Sequence, residues 1–324
     1  MRKIIVWIFL FALHSCAGNT DTKNTIVANT DTVNRVTGIS LIVLGTIQDA
    51  GSPQIGCTKD CCKGLFGQPD KNRKVVSLGI IDPAGKKKFI LEATPDIAVQ
   101  ARILNDHASF GGHDIPDGIF ITHAHIGHYS GLMYLGKEAM NTDSVPVYTM
   151  PRLKAFLEQN GPWSQLIKNR NIVVKEMHNR QEIQLTPALT IIPFTVPHRD
   201  EFSETVGYRI IGPNKKVLFI PDIDKWEKWG TKIIEAISKV DYAFIDATFY
   251  DAAEINNRDI STIPHPFVIE SMKLFEELPS VEKKKIYFIH FNHTNPLINK
   301  NSKQAQLVLK SGFNIASIND TIKL

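Results

Sequence analysis

The sequence predicts an α/β domain in which mixed β-sheets are covered by helices. Short apolar runs alternate with segments of helical period along most of the 324-residue chain. Turns rich in Pro and Gly, such as Asp82 to Gly85, join neighbouring runs as hairpins. Five apolar runs end directly in His or Asp, as when a rigid sheet presents polar side chains at one edge. A composition of 43% hydrophobic and 22% charged residues excludes a disordered or fibrous chain. The net charge of +4 is too small to argue for nucleic acid.

Taken in order, residues 1–16 read as a signal peptide. Arg2 and Lys3 precede an apolar run from Ile4 to Leu13, too short to span a bilayer as a mature helix. Leu13 stands three residues before Cys16, which resembles a bacterial lipoprotein cleavage box and makes Cys16 the expected lipid anchor. An exported protein follows, periplasmic or membrane-anchored, touching the membrane only through its lipid. Residues 17–38 are rich in Asn, Thr and Asp and read as a flexible tether. No later linker divides residues 39–324, which read as one domain.

Cys57, Cys61 and Cys62 cluster in "GCTKDCC". They suggest either a disulfide plus a free thiol or a small metal clip. Adjacent cysteines rarely bond to each other, so the first option pairs Cys57 with Cys61 or Cys62. The second needs a fourth ligand that the sequence does not identify.

Strands are expected at residues 39–46, 74–82, 87–94, 118–125, 144–150 and 171–177, then at 188–198, 204–212, 215–224, 241–249 and 284–293. Helices are expected at 97–106, 151–161, 265–278 and 303–312. Strand ends then carry Asp96, His123 with His125, His198, Asp222, and His290 with His293.

"THAHIGH" places His123, His125 and His128 within six positions. His123 and His125 lie two apart on an extended segment and share a side, and Gly127 allows a turn before His128. Three converging imidazoles suit a borderline metal such as zinc, with manganese or iron as alternatives. Any one of these histidines taken singly reads as an ordinary core or surface residue; the cluster, followed by His198, Asp222 and His290, does not.

The spacing His123-x-His125-x-x-His128 resembles the HxHxDH signature of the metallo-β-lactamase superfamily. Asp96, His198, Asp222 and His290 follow that family's order, and the resemblance runs from about Ser40 to the C-terminus. "VLGTIQDAGSPQIGC", "LEATPDI", "HYSGL", "DATF" and "HTNP" are similar to the branch containing pyrroloquinoline quinone biosynthesis protein B. The HxH pair is a departure from that biosynthesis protein.

The resemblance implies an αββα sandwich and a role for each residue. His123, His125 and His198 hold a first ion. His128 and His290 hold a second, with Asp222 bridging. Asp96 supports a ligand histidine by hydrogen bond. His293, Asn292 and Asn295 remain as substrate contacts, with His293 the alternative to His290. Gly127 stands where the family carries an aspartate, so the second ion lacks an anionic ligand unless a residue such as Asp246 or Asp200 reaches in. The implied reaction is metal-assisted hydrolysis of a small-molecule phosphodiester, other ester or lactone, with Asp222 and His198 at the reacting centre. The alternatives are an oxidative role like that of the biosynthesis branch, and a binding lipoprotein without turnover.

Overall fold

The computed structural model describes residues 35–230, 232–256 and 259–324. The expected signal peptide at 1–16, its Cys16 and most of the expected tether lie outside the described residues. Val36 is already buried and pairs with Ala108, ahead of the domain boundary expected at residue 39.

One sheet takes β1 (Ser40–Gly45), β2 (Ser77–Asp82), β3 (Lys87–Leu91), β4 (Gly118–Phe120), β5 (Val145–Thr149) and β6 (Ile172–Glu176). The other takes β7 (Ile183–Thr186), β8 (Leu189–Thr195), β9 (Val206–Ile211), β10 (Lys216–Ile220), β11 (Tyr242–Asp246), β12 (Ile286–Ile289) and β13 (Asn314–Ile315). The last strand, β14 (Thr321–Lys323), returns to the first sheet and pairs antiparallel with β1. Both sheets are mixed. Strands β1 to β3 are antiparallel and β3 to β6 parallel. Likewise β7 to β10 are antiparallel and β10 to β13 parallel.

Helices α1 (Asp60–Lys63), α2 (Ile97–His107), α3 (Ile126–Tyr129), α4 (Pro151–Gln159) and α5 (Trp163–Lys168) belong to the first half. Helices α6 (Ile233–Ser238), α7 (Val268–Leu274), α8 (Ser280–Lys283) and α9 (Lys303–Lys310) belong to the second.

Side-chain alternation along the strands builds the layers. Leu41 and Val43 of β1 enter a core shared with Phe219 and Phe244 of the opposite sheet. Ile42 and Leu44, on the other face of the same strand, pack on Ala101 and Leu104 of α2. In the second sheet Leu218 and Ile220 face α6 and α7, while Val217 and Phe219 face the inter-sheet core. Strands buried on both faces need continuous apolar sequence, which is why β1, β2 and β10 read as unbroken runs. The result is the αββα sandwich of the metallo-β-lactamase fold. Because β10, β11 and β12 run parallel, Asp222, Asp246 and His290 follow them out at a single edge.

Most strands stop short of the expected bounds, and two boundaries that differ bear on the site. The strand expected through His125 pairs only as far as Phe120, and His123 and His125 sit in the following loop. The helix expected at 265–278 starts at Val268, because Pro264 and Pro266 flank His265 and hold it out of helical geometry.

Candidate metal centre

Loops leaving three strands bring the ligand atoms of His123, His125, His198 and Asp222 within 4.8 Å of one another. His123 and His125 follow β4, His198 follows β8, and Asp222 follows β10. Asp222 Oδ2 lies 3.4 Å from His123 Nε2, 3.2 Å from His198 Nε2 and 3.9 Å from His125 Nδ1. A tetrahedron with arms of about 2.05 Å has edges of about 3.3 Å, so these separations suit a cation at their centre.

The other nitrogen of each ring faces an oxygen, though His128 Nδ1 makes no hydrogen bond. His123 Nδ1 meets Thr122 Oγ1 at 2.8 Å, His198 Nδ1 meets Asp224 Oδ1 at 3.3 Å, and His125 Nε2 meets Glu201 Oε2 at 3.4 Å. His128 Nδ1 faces Glu92 Oε2 at 3.4 Å, and His290 Nδ1 meets Thr248 Oγ1 at 2.8 Å. Meanwhile Nε2 of His123, His128, His198 and His290, and Oδ1 of Asp222, are buried without a hydrogen-bond partner. Each unmatched buried polar atom costs about 1–3 kcal/mol, and four converging imidazole lone pairs fit a bound cation. The donor set therefore fits a metal.

A second cluster adjoins the first. Ligand atoms of Asp49, His128 and His290 lie within 4.8 Å of one another, and His128 Nε2 is 3.9 Å from Asp222 Oδ2. A third group, Asp222, Asp246 and His265, completes the edge, with His265 Nδ1 3.1 Å from Asp222 Oδ1 and 2.9 Å from Asp246 Oδ2. Asp49, Glu92, Asp224 and His265 escaped the sequence reading. For His265 the signal was "IPHP", since a residue between prolines is not helical. For Glu92 it was an acid at the end of an apolar run. Glu92 and His290 both take left-handed backbone, with φ of 78° and 70°. Such conformations in non-glycine residues cost about 1–3 kcal/mol and mark sites where side-chain direction matters.

Several expected roles are corrected. Asp96 reaches no histidine; its Oδ2 accepts from Val75 N at 2.8 Å and its Oδ1 lies 3.9 Å from Lys74 Nζ. Helix α2 starts at the next residue, which points the carboxylate back at the β1–β2 connection. Glu92 takes the place expected for it. Asn295 is buried, its amide donating to Ala247 O and Thr248 O at 2.8 and 3.2 Å and its Oδ1 accepting from Leu297 N, so nothing is left for a substrate. Asn292 donates to Glu254 Oε1 at 3.3 Å. His290 turns toward the metal cluster, whereas His293 turns away from it.

His293 lies instead with Cys57, Cys61 and Cys62, their ligand atoms within 4.8 Å. All three are free cysteines, and the Cys57–Cys61 and Cys61–Cys62 sulfur separations of 3.9 Å exclude a bond of about 2.05 Å. The disulfide alternative is therefore not taken. A tetrahedral ion with metal–sulfur arms of about 2.3 Å has sulfur–sulfur edges of about 3.8 Å, so the group fits the clip, with His293 as the missing fourth ligand.

Charge follows this geometry. Burial opposes ionisation of Asp222, but His198, His265, His123 and His125 hold its carboxyl well below the usual range. Burial, with His128 beside it, keeps His123 well below its ordinary value. Burial also opposes charge on His128, yet Glu92, Asp49 and Asp222 push it up to about 9. Asp246 and Asp222 likewise outweigh burial at His265 and raise it well above its ordinary value.

A family model described as "Beta-lactamase superfamily domain" matches residues 87–291. The coenzyme PQQ synthesis protein B of Gluconobacter oxydans is 25% identical over 309 residues, covering 88% of this chain and 99% of that protein. Among solved structures, Zn(2+)-bound PqqB from Methylobacterium extorquens superposes with a TM-score of 0.70 at 20% identity, covering 88% of this chain and 100% of that one. A diphosphatase from the PhnP family superposes with a TM-score of 0.59 at 21% identity, covering 88% and 96%.

Proposed function

Because this chain belongs to the metallo-β-lactamase superfamily, close to the PqqB branch, we propose that it is a metal-dependent hydrolase acting on phosphodiesters. One observation carries the reading: five histidines each set one ring nitrogen beside an oxygen neighbour and turn the other toward Asp222 or Asp49. His123, His125, His198 and Asp222 would hold one ion, and His128 and His290 would serve a second beside Asp222. Zinc suits the donors, with manganese or iron as alternatives. When bound, such ions supply Lewis acidity and make water acidic enough to attack near neutral pH.

The chain's own residues do the rest. Asp222 stays ionised at the junction of the two ligand sets, and adjoining sets are the arrangement by which in-line phosphoryl displacement is clamped. His125 and His265 side chains are 14% and 13% exposed against at most 1% for His123, His128, His198 and His290, so substrate reaches the centre past those two rings. Asp246 holds His265 Nδ1 and leaves Nε2 to donate a proton to the leaving oxygen. The fold shared with a diphosphatase is in keeping with this substrate class. Cys57, Cys61, Cys62 and His293 would hold a structural ion in the loop after β1.

The test is turnover of bis(p-nitrophenyl) phosphate by wild type and His123→Ala. Metal-dependent turnover lost in the variant supports the reading; turnover unchanged in the variant, or absent from metal-loaded wild type, refutes it. A second reading, an oxidative role, is favoured by the similarity to PQQ synthesis proteins. It calls for bound iron and oxygen consumption in place of diester turnover. Residues 1–16 and Cys16 are proposed to export the protein and lipidate it, leaving it periplasmic or membrane-anchored. Cys16→Ala then moves it from the membrane fraction to the soluble one, and an unchanged distribution rejects the anchor.

A further inference from the structure

Gly127 leaves the HxHxDH pattern without its carboxylate, yet the space beside it is filled. A Cβ built on Gly127 would stand 2.1 Å from Asp49 Cβ, 2.6 Å from Asp49 Cα and 2.8 Å from Asp49 O. Asp49 comes from the loop after β1, far from the signature in sequence, and shares its cluster with His128 and His290. We propose that Asp49 supplies the anionic ligand of the second ion, and that Gly127 is the opening through which it enters.

The loop is built to reach this place. Gln48 N donates to Phe291 O at 2.8 Å and Phe291 N to Thr46 O at 2.8 Å, which stitches the loop to the residue directly after His290. Gly51 N then closes a turn on Gln48 O at 2.9 Å, and the Gly51 φ of +79° suits glycine. The Gln48 amide donates to Asp49 Oδ1, which leaves Oδ2 for a cation. Nε2 of His128 and of His290, both rings fully buried, supply the unpartnered donors on the other side.

The two acids that the sequence offered as replacements are already committed. Asp246 accepts from Thr248 N and Oγ1 on one oxygen and from Ile223 N on the other, where it also meets His265. Asp200 accepts from Thr205 Oγ1 at 2.8 Å. A side chain at 127 and the present path of the 47–51 loop exclude each other sterically, so the acid is exchanged between segments rather than lost.

This inference rests on the hydrolase reading for its first ion, and the test separates the two. Chelator-stripped protein is titrated with Mn2+, which favours oxygen and nitrogen donors over thiolates, and coupling between ions is followed by electron paramagnetic resonance. Wild type takes two ions per chain with a spin-coupled signal. Asp49→Ala and the volume-conserving Asp49→Asn keep the first ion and bind the second at least about ten-fold more weakly, since even outer partners of ligands cost that much. Stripped Asp49→Asn keeps the wild-type melting temperature while its second-ion affinity falls and the coupled signal is lost, which a merely structural role for Asp49 does not explain. Second-ion affinity unchanged in both variants overturns the proposal. Wild type binding a single Mn2+ also overturns it while leaving the first site standing. No Mn2+, zinc or iron bound at all overturns the hydrolase reading with it.

Discussion

At the scale of single residues, each imidazole of the centre sets one nitrogen beside an oxygen neighbour, which orients the ring and leaves the other nitrogen toward a cation. Glu92 is the most buried of these neighbours, fully enclosed against His128. Glu92→Gln should therefore weaken metal binding by about 10–100-fold, measured by competition with a chelating dye. His265→Asn should lower kcat by about 10²–10⁴-fold with KM little changed. The loss should be larger for a diester with a poor leaving group than for p-nitrophenolate, because only the former needs the proton. In the metal-free protein His128 is raised from 6.5 to about 9, so its stabilisation is full below pH 6.5 and lost as pH rises through 9. His198 and His265 act in the same sense, whereas His123, lowered, acts oppositely and only below 6.5. The melting temperature of stripped protein should fall between pH 6.5 and 9.5; a flat profile contradicts that assignment.

Elements decide which residues the sequence could reveal. His123, His125, His198, Asp222 and His290 were legible because each follows an apolar run, and the sheet edge gathers what such runs deliver. Asp49 and His265 were not, because each arrives by a loop whose path depends on partners distant in sequence. For Asp49 these are the contacts to Phe291; for His265, the prolines that delay α7. Asp96 misled for the opposite reason: it has the family's position in the chain, but α2 begins beside it and turns it away. Asn295 also serves an element, tying the loop after β12 to the one after β11. Asn295→Ala should lower the melting temperature, with unmade hydrogen bonds costing about 1–3 kcal/mol, and leave KM unchanged. A raised KM at unchanged stability would restore it as a substrate contact.

For the whole molecule, the αββα architecture was legible from alternation, from hairpin turns and from the polar ends of apolar runs. The short strands β7, β13 and β14 were not, since two to four residues carry too little periodicity to separate from loop. Pairing of Ser40 with Lys323 sets β14 beside the start of β1, whose other end leads into the loop that carries Asp49. The metal cluster is drawn from both sheets, so an ion bound there bridges the sandwich and stabilises the folded state by mass action. Removing it should cost about 4 kcal/mol if the ion stands at 1,000 times its dissociation constant. The most direct measurement is a crystal grown with zinc or manganese, with diffraction collected on both sides of the metal absorption edge. An anomalous peak between His123 Nε2, His125 Nδ1, His198 Nε2 and Asp222 Oδ2 is the predicted result. A map with no peak among those four atoms, in crystals holding the metal, would contradict a metal centre and with it the hydrolase.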